Sequence, residues 1–343
     1  MMHLATIKVT VPLKHKFVVS KGETEAKTIY LTVLNNRYSG EASGSVHYGP
    51  TQQEIEQDLA VGLKKIAKFK QIDLKAIEQV GKYKINPIAR SALVGMLLHY
   101  MSGESRRYPW EILQLGTPVG IKSSMTISID KPNEMIKALE SCDYPIIKIK
   151  MGNEEDVMIL DALDKFKDKE IRVDANGAWS CAKAEEMIFH LSRKGVKVIE
   201  QPTDFEFVSE WSHLKGKSAD VHLIVDEGLD TLEDYKKVSD FVDGVNIKME
   251  KCGGILEGMK LASQAREDSK KVMLGCMVES SVGIAQSVYL SSKADYYDLD
   301  GPLLLESDIA NGIIYDRESI QVDREIIGGP KLKRDVVEKY LIE

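Results

Sequence analysis

Cysteine is scarce in this chain: four in 343 residues, Cys142, Cys181, Cys252 and Cys276, far apart and without CxxC or paired Cys/His spacing. That excludes a disulfide framework and a zinc module, and leaves reduced thiols of the kind a cytoplasmic protein keeps. Long apolar stretches are missing too. No run approaches the ~20 residues that span a bilayer, and Met1–Val19 carries charges throughout, unlike a signal peptide. An excess of basic charge is also lacking, since 46 Lys and Arg face 53 Asp and Glu for a net charge of −7. Nucleic acid is therefore not an expected partner, and neither is a membrane. What remains is a soluble composition, 43% hydrophobic and 29% charged, with ample material for a large core.

Two textures follow one another along the chain. Residues 1–115 read as a small α+β domain. Ile7–Val11 and Thr28–Leu34 are strand-like, Asn35-Asn36 marks a turn, and Gln52–Ala67 and Pro87–Ser102 are helical, the first with Ile55, Leu59, Leu63 and Ile66 on one face. From Gly116 to about residue 307, strands alternate with helices. The strands fall near Ser123–Ile127, Ile146–Lys150, Ile171–Asp174, Val196–Glu200, Val221–Asp226, Gly244–Lys248, Lys271–Cys276 and Asp295–Leu299. Helices are expected at Asn153–Phe166, Ala182–Arg193, Leu232–Val238 and Leu256–Ser269. Eight such repeats predict an α/β barrel whose last helix is shortened or replaced. Residues 308–343 read as loop and strand returning to the first domain.

Three carboxylates, Asp174, Glu200 and Asp226, end successive β-branched runs at a constant interval of 26 residues. In a parallel barrel all such strand ends open on one face. Any one of them alone reads as a helix N-cap; in register they point to a hard divalent cation, Mg²⁺ or a similar ion, that relieves their mutual repulsion. Lys148 and Lys150 end the second strand two residues apart, so both face one side. Lys248 ends the sixth strand, nearly across the barrel. Two amines addressing one carbon from opposite faces, beside a cation that offsets enolate charge, suit a 1,1-proton transfer α to a carboxylate.

The set Lys148-Ile149-Lys150, Asp174-Ala175-Asn176, Glu200-Gln201-Pro202, Asp226-Glu227-Gly228, Lys248 before Gly253-Gly254-Ile255, and Cys276–Ser280 resembles the enolase superfamily, muconate-lactonizing-enzyme subgroup. Enolase-superfamily sites pair a Lys or His base with Mg²⁺. The resemblance spans nearly the whole chain and implies a modified (β/α)7β TIM barrel at 116–307, an N-terminal α+β capping domain at 1–115 and a C-terminal return at 308–343. It implies Mg²⁺ ligation by Asp174, Glu200 and Asp226, acid–base roles for Lys150 and Lys248, and a place for Lys148 beside the substrate carboxylate. Asn176 and Glu279 look like supporting groups, with Cys276 and Val278 on the substrate side. Asp298-Leu299-Asp300 resembles the D-x-D with which dipeptide epimerases clamp the substrate's α-ammonium; a turn before Gly301-Pro302 is the plainer alternative. The substrate implied is a dipeptide, and barrels of this subgroup assemble as homo-oligomers.

Specificity is less legible. In the stretch Ser20–Glu25, Lys21 or Gly22 stands where relatives carry a glutamate-binding arginine; Lys21 could receive a carboxylate, Glu23 or Glu25 could select a cation, or all could be solvated. Ser43–Gly49 is expected to complete the pocket, with His47 and Tyr48 as packing or lid groups. Trp179 reads equally as a site wall or as core. Among other reactions of the scaffold, syn-dehydration of the o-succinylbenzoate synthase type and cycloisomerisation take substrates without a free ammonium, which Asp298 and Asp300 argue against. A barrel kept only for binding would be expected to have lost one of these groups.

Overall fold

The computed structural model describes residues 2–341 apart from 20–21, 45–48, 216–217 and 219. The chain starts as an antiparallel sheet of β1 (Leu4–Val19), β2 (Gly22–Leu34) and β3 (Tyr38–Ala42). Asn35 and Asn36, both with positive φ, turn β2 into β3; asparagine tolerates that conformation because its short amide bonds locally. Alternation gives the sheet two faces. Ile7, Val9, Val11, Ile29, Leu31 and Val33 meet Leu305 at the end of the barrel and Ile309, Ala310 and Val336 from the C-terminal segment. Tyr30 and Leu34 belong instead to the main core, with the helix Pro87–Ser105. Gly40 permits that helix to approach, since a Cβ there would stand 1.9 Å from Ala92 O. Helix Gln52–Ile66 starts at a capping box in which Thr51 and Glu54 satisfy each other's backbone N–H groups.

After β4 (Ile121–Lys122) come eight parallel strands: β5 (Met125–Ile127), β6 (Ile146–Lys150), β7 (Glu170–Asp174), β8 (Val198–Glu200), β9 (His222–Val225), β10 (Gly244–Lys248), β11 (Lys271–Gly275) and β12 (Tyr296–Asp298). They neighbour one another in chain order, and a parallel bridge from Ser123 to Tyr297 closes the ring. This is the modified TIM barrel with an N-terminal cap, and all eight strands lie where the apolar runs placed them. The short helix Gly301–Leu304 follows directly on β12, where a full barrel helix would stand. The chain then forms β13 (Ala310–Asn311), β14 (Ile313–Asp316), β15 (Ser319–Val322) and β16 (Lys331–Leu332); the β14–β15 hairpin pairs with β4, and β13 pairs with β16.

Two helices depart from expectation. Asn153–Phe166 is broken into the turns Glu154–Asp156, Val157–Leu160 and Ala162–Phe166. Asp156 folds its carboxylate back onto the N–H groups of Gly152 and Asn153, the local competition that makes aspartate a poor helix interior. At the C-terminus, Arg334–Tyr340 is helical where loop or strand was expected; Lys333 makes no side-chain cap, so no start signal marks it. Among the described residues, no helix is long and apolar enough to cross a membrane.

Candidate active site

The carboxyl ends of the strands carry the charged groups in ring order. Lys148 and Lys150 come from β6, Asp174 from β7, Glu200 from β8, Asp226 from just past β9, Lys248 from β10, and Asp298 and Asp300 from the end of β12. With eight strands in order, β6 and β10 stand opposite each other, and the three acid-bearing strands lie between them. All eight of these side chains are buried. Burying so many charges is costly unless they pair, and they do.

Lys148 Nζ lies 2.8 Å from Asp174 Oδ2, 2.7 Å from Glu200 Oε2 and 2.7 Å from Asp298 Oδ2. Burial opposes its charge, but Asp174, Asp298 and Glu200 outweigh burial and hold its ammonium well above the usual lysine range. Lys150 Nζ donates to Asp174 Oδ2 at 2.6 Å and to Asn176 Oδ1 at 3.1 Å. Lys248 Nζ donates to Asp226 Oδ2 at 2.7 Å. Burial raises both Asp174 and Asp226, yet the lysines prevail and keep each below the ordinary carboxylate range. Glu200 goes the other way: burial first, then Asp174 and Asp226, push it up to about 7 against Lys148 and Lys248.

Whether these groups suit a cation turns on that glutamate. Glu200 Oε2 is buried and, among the described residues, is met by the Lys148 ammonium alone. A hard oxygen balanced by an ammonium alone, between two further carboxylates, fits a divalent ion in type. Among the described residues, no three His, Cys, Asp or Glu side chains stand close enough to hold an ion in their present rotamers. Lys148 and Lys150 draw Asp174 to one side, Lys248 draws Asp226 to the other, and an ion would take the place of these contacts.

Asn176, at positive φ, donates its N–H to Asp174 Oδ1 at 2.9 Å and its amide to Glu227 Oε1 at 3.1 Å. Asp298 accepts from Ser124 Oγ at 2.8 Å, and Asp300 from Thr126 N at 2.7 Å. Burial, then Asp298, raises Asp300 to about 6, so the two aspartates do share one locality. Cys276 Sγ lies 3.4 Å from Asp298 O. Val278 packs on the core between cap sheet and C-terminal segment. Glu279 accepts the Met277 N–H at 2.7 Å and sits at the seam with the cap, near Glu250 and Glu41. Lys21, like His47 and Tyr48, lies outside the described residues, while Glu23 pairs with Lys16 at 2.5 Å in the open. Trp179 is buried with its indole N–H on Asp156, 2.8 Å away.

Several participants went unread in the sequence. Lys251 donates to Asp226 O and, at 2.9 Å, to Asp226 Oδ1. Asn246 donates to Glu200 Oε1 at 2.7 Å. Gln201 Oε1 accepts the Asp226 N–H at 2.8 Å. Asn246 and Lys251 carried a signal, being two residues before Lys248 on its strand and one helical turn after it; Gln201 stood in the Glu200-Gln201-Pro202 motif without a role read for it, and Ser124 carried no signal.

The profile of the family described as "Enolase C-terminal domain-like" matches residues 133–313. An L-Ala-D/L-amino acid epimerase of Flavobacterium johnsoniae is 30% identical over 91% of this chain and 94% of its own length. A hydrophobic dipeptide epimerase of a Flavobacteria bacterium is 30% identical over 80% of this chain and 79% of its own. In fold, the chain matches a crystal structure of a dipeptide epimerase from Cytophaga hutchinsonii, complexed with Mg and D-Ala-L-Val, with a TM-score of 0.87 at 22% identity over 98% and 97% of the two chains. Barrel, cap and sequence kinship agree: the chain belongs to the enolase superfamily, among its dipeptide-epimerase-like members.

Proposed function

We propose that the protein is a Mg²⁺-dependent dipeptide epimerase that inverts the α-carbon of the C-terminal residue through an enolate. The observation that carries this reading is the placement of Lys150 and Lys248 on opposed strands, with Asp174, Glu200 and Asp226 on the strands between. Related proteins of this length are named for dipeptide epimerisation, which supports the substrate class.

The substrate carboxylate would sit over the acidic trio, where bound Mg²⁺ supplies positive charge against the charge that accumulates as the α-proton leaves. Lys150 and Lys248 face the α-carbon from either side; one takes the proton and the other returns one to the opposite face. In the metal-free structure Asp174 and Asp226 bind these two ammoniums, and Asn176, which also bonds Lys150, would steady it once an ion engages the acids. Lys148 lies between the trio and Asp298, within reach of the substrate carboxylate. Asp298 and Asp300 would receive the α-ammonium, an interaction strengthened by burial.

The test is proton–deuterium exchange in D₂O with Mg²⁺ and a panel of L,L- and L,D-dipeptides. Exchange at the C-terminal α-carbon with inversion is expected; no exchange with any dipeptide overturns the reading.

A further inference from the structure

Glu250 follows Lys248 by only two residues and lines the same cavity as Asp226 and Lys251, yet its carboxylate is engaged by the cap. It is buried and turned into the cap, where Oε1 accepts the Ser43 N–H and Oε2 accepts the Gly44 N–H at 2.9 Å and the Ser43 hydroxyl at 3.2 Å. Ser43 and Gly44 form the stem that leads from β3 into residues 45–48. Lys27 of β2 binds Gly44 from the other side, donating to its carbonyl. Lys27 also stands close to Glu250, Glu279 and Glu41; burial lowers its pKa and raises that of Glu250, so the link rests on the hydrogen bonds to Ser43 and Gly44.

The turn Met249–Cys252 is thereby held at several points. Lys248 opens it, Glu250 fastens it to the cap stem, and Lys251 fastens it to Asp226. At its far end Cys252 O lies 3.4 Å from Arg90 Nη2 of the cap helix. Among the described residues, Lys150 bonds to barrel groups, Asp174 and Asn176, and not to the cap. A buried carboxylate binding two successive backbone N–H groups is a strong, directional link, and it enters the chain next to one acid–base lysine and not the other.

We infer that Glu250 is a positioning residue, linking the seating of the cap stem at Ser43-Gly44 to the placement of Lys248 and leaving Lys150 unaffected. The inference rests on the two-lysine reading above and adds an asymmetry to it: proton transfer at one face of the α-carbon depends on the cap, and transfer at the other does not.

The test is Glu250→Gln, which keeps the size but loses the charge and one of the two acceptor oxygens. α-Proton exchange in D₂O with Mg²⁺ is measured separately for the two stereoisomers of one dipeptide, with Lys248→Ala and Lys150→Ala assigning each isomer to its lysine. Glu250→Gln is expected to slow exchange at the Lys248 face by about 10- to 100-fold, the cost of a misplaced group, and to leave the Lys150 face within about twofold. Equal loss at both faces, or no loss, overturns the inference. A wild type that exchanges neither isomer removes the two-lysine reading itself, a distinct result. A readout without substrate or metal accompanies it: hydrogen exchange of peptides covering 40–50 and 244–254. Both segments should lose protection in Glu250→Gln while β6 and β7 keep theirs; unchanged protection at 40–50 overturns the link.

Discussion

Lys148 Nζ stands 2.7 Å from Glu200 Oε2 with both side chains almost wholly out of solvent. The same ammonium touches Asp174 and Asp298, so one positive charge stands among three carboxylates. Lys148→Met should therefore destabilise the metal-free protein by roughly 3–5 kcal/mol, the usual cost of stripping a buried ion of its partner. Mg²⁺ is expected to restore more stability to the variant than it adds to the wild type, because an ion over the trio replaces the missing charge. Urea unfolding of both proteins with Mg²⁺ and with a chelator checks this. An equal deficit in both conditions would mean that the ion does not bind at Asp174 and Glu200.

Asp298 supplies a second expectation, because an epimerase that clamps an ammonium needs its carboxylate and a lyase does not. Asp298→Asn should raise KM for free dipeptides by about 10- to 100-fold, the equivalent of a lost hydrogen bond to a charged group. N-acetylated dipeptides, which present no ammonium, should be turned over no worse by the variant than by the wild type. Steady-state assays of both substrates separate the clamp from general damage, since Asp298 also binds Lys148 and Ser124.

The barrel was legible because its strands are short apolar runs, six of which end in or just before a charge. Ile146–Lys150 and Gly244–Lys248 need no tertiary information to be found, and their opposition follows from counting strands. Interactions that cross between distant segments left no trace in the sequence. Nothing around Ser43 announces that Glu250, 207 residues later, will accept its backbone N–H. Glu279 lay in a recognisable motif, but its side chain faces the cap seam, a direction set by how cap and barrel dock. The helix at Asn153–Phe166 failed for a local reason: period alone does not reveal that Asp156 will bond backwards.

That seam makes the protein's stability depend on pH. Glu41 is fully within the cap–barrel contact, where it accepts the N–H groups of Ser280 at 2.9 Å and Gly283 at 3.1 Å, with Glu250, Glu279, Asp308 and Lys27 around it. Burial pushes its carboxyl up to about 8, against an ordinary 4.5. The folded protein thus binds a proton that the unfolded chain has released across that window, so Glu41's contribution is fully present below pH 4.5 and is lost as pH rises towards 8. Denaturant midpoints measured from pH 5 to 9 should show this decline, and Glu41→Gln should make it shallower while lowering stability at the acid end, the remainder coming from the other raised carboxyls, Glu200, Asp300, Glu250 and Glu279. A variant with the wild-type slope would assign the decline to another group.

Gly253 tests the docking itself. Its φ is +90°, a conformation that side chains rarely adopt, and a Cβ would fall 2.3 Å from the Arg90 guanidinium of the cap helix. Gly253→Ala therefore combines backbone strain with displacement of Arg90, and a loss of roughly 1–3 kcal/mol is expected. The residue ends the turn that starts at Lys248, so the same substitution should slow epimerisation beyond what its effect on stability explains. Thermal unfolding, with activity measured well below the transition, distinguishes the two effects. Arg90→Ala in the Gly253→Ala background relieves the clash but not the strain. Partial recovery of activity in the double variant would locate the damage at this contact, and none would trace it to the backbone of the turn.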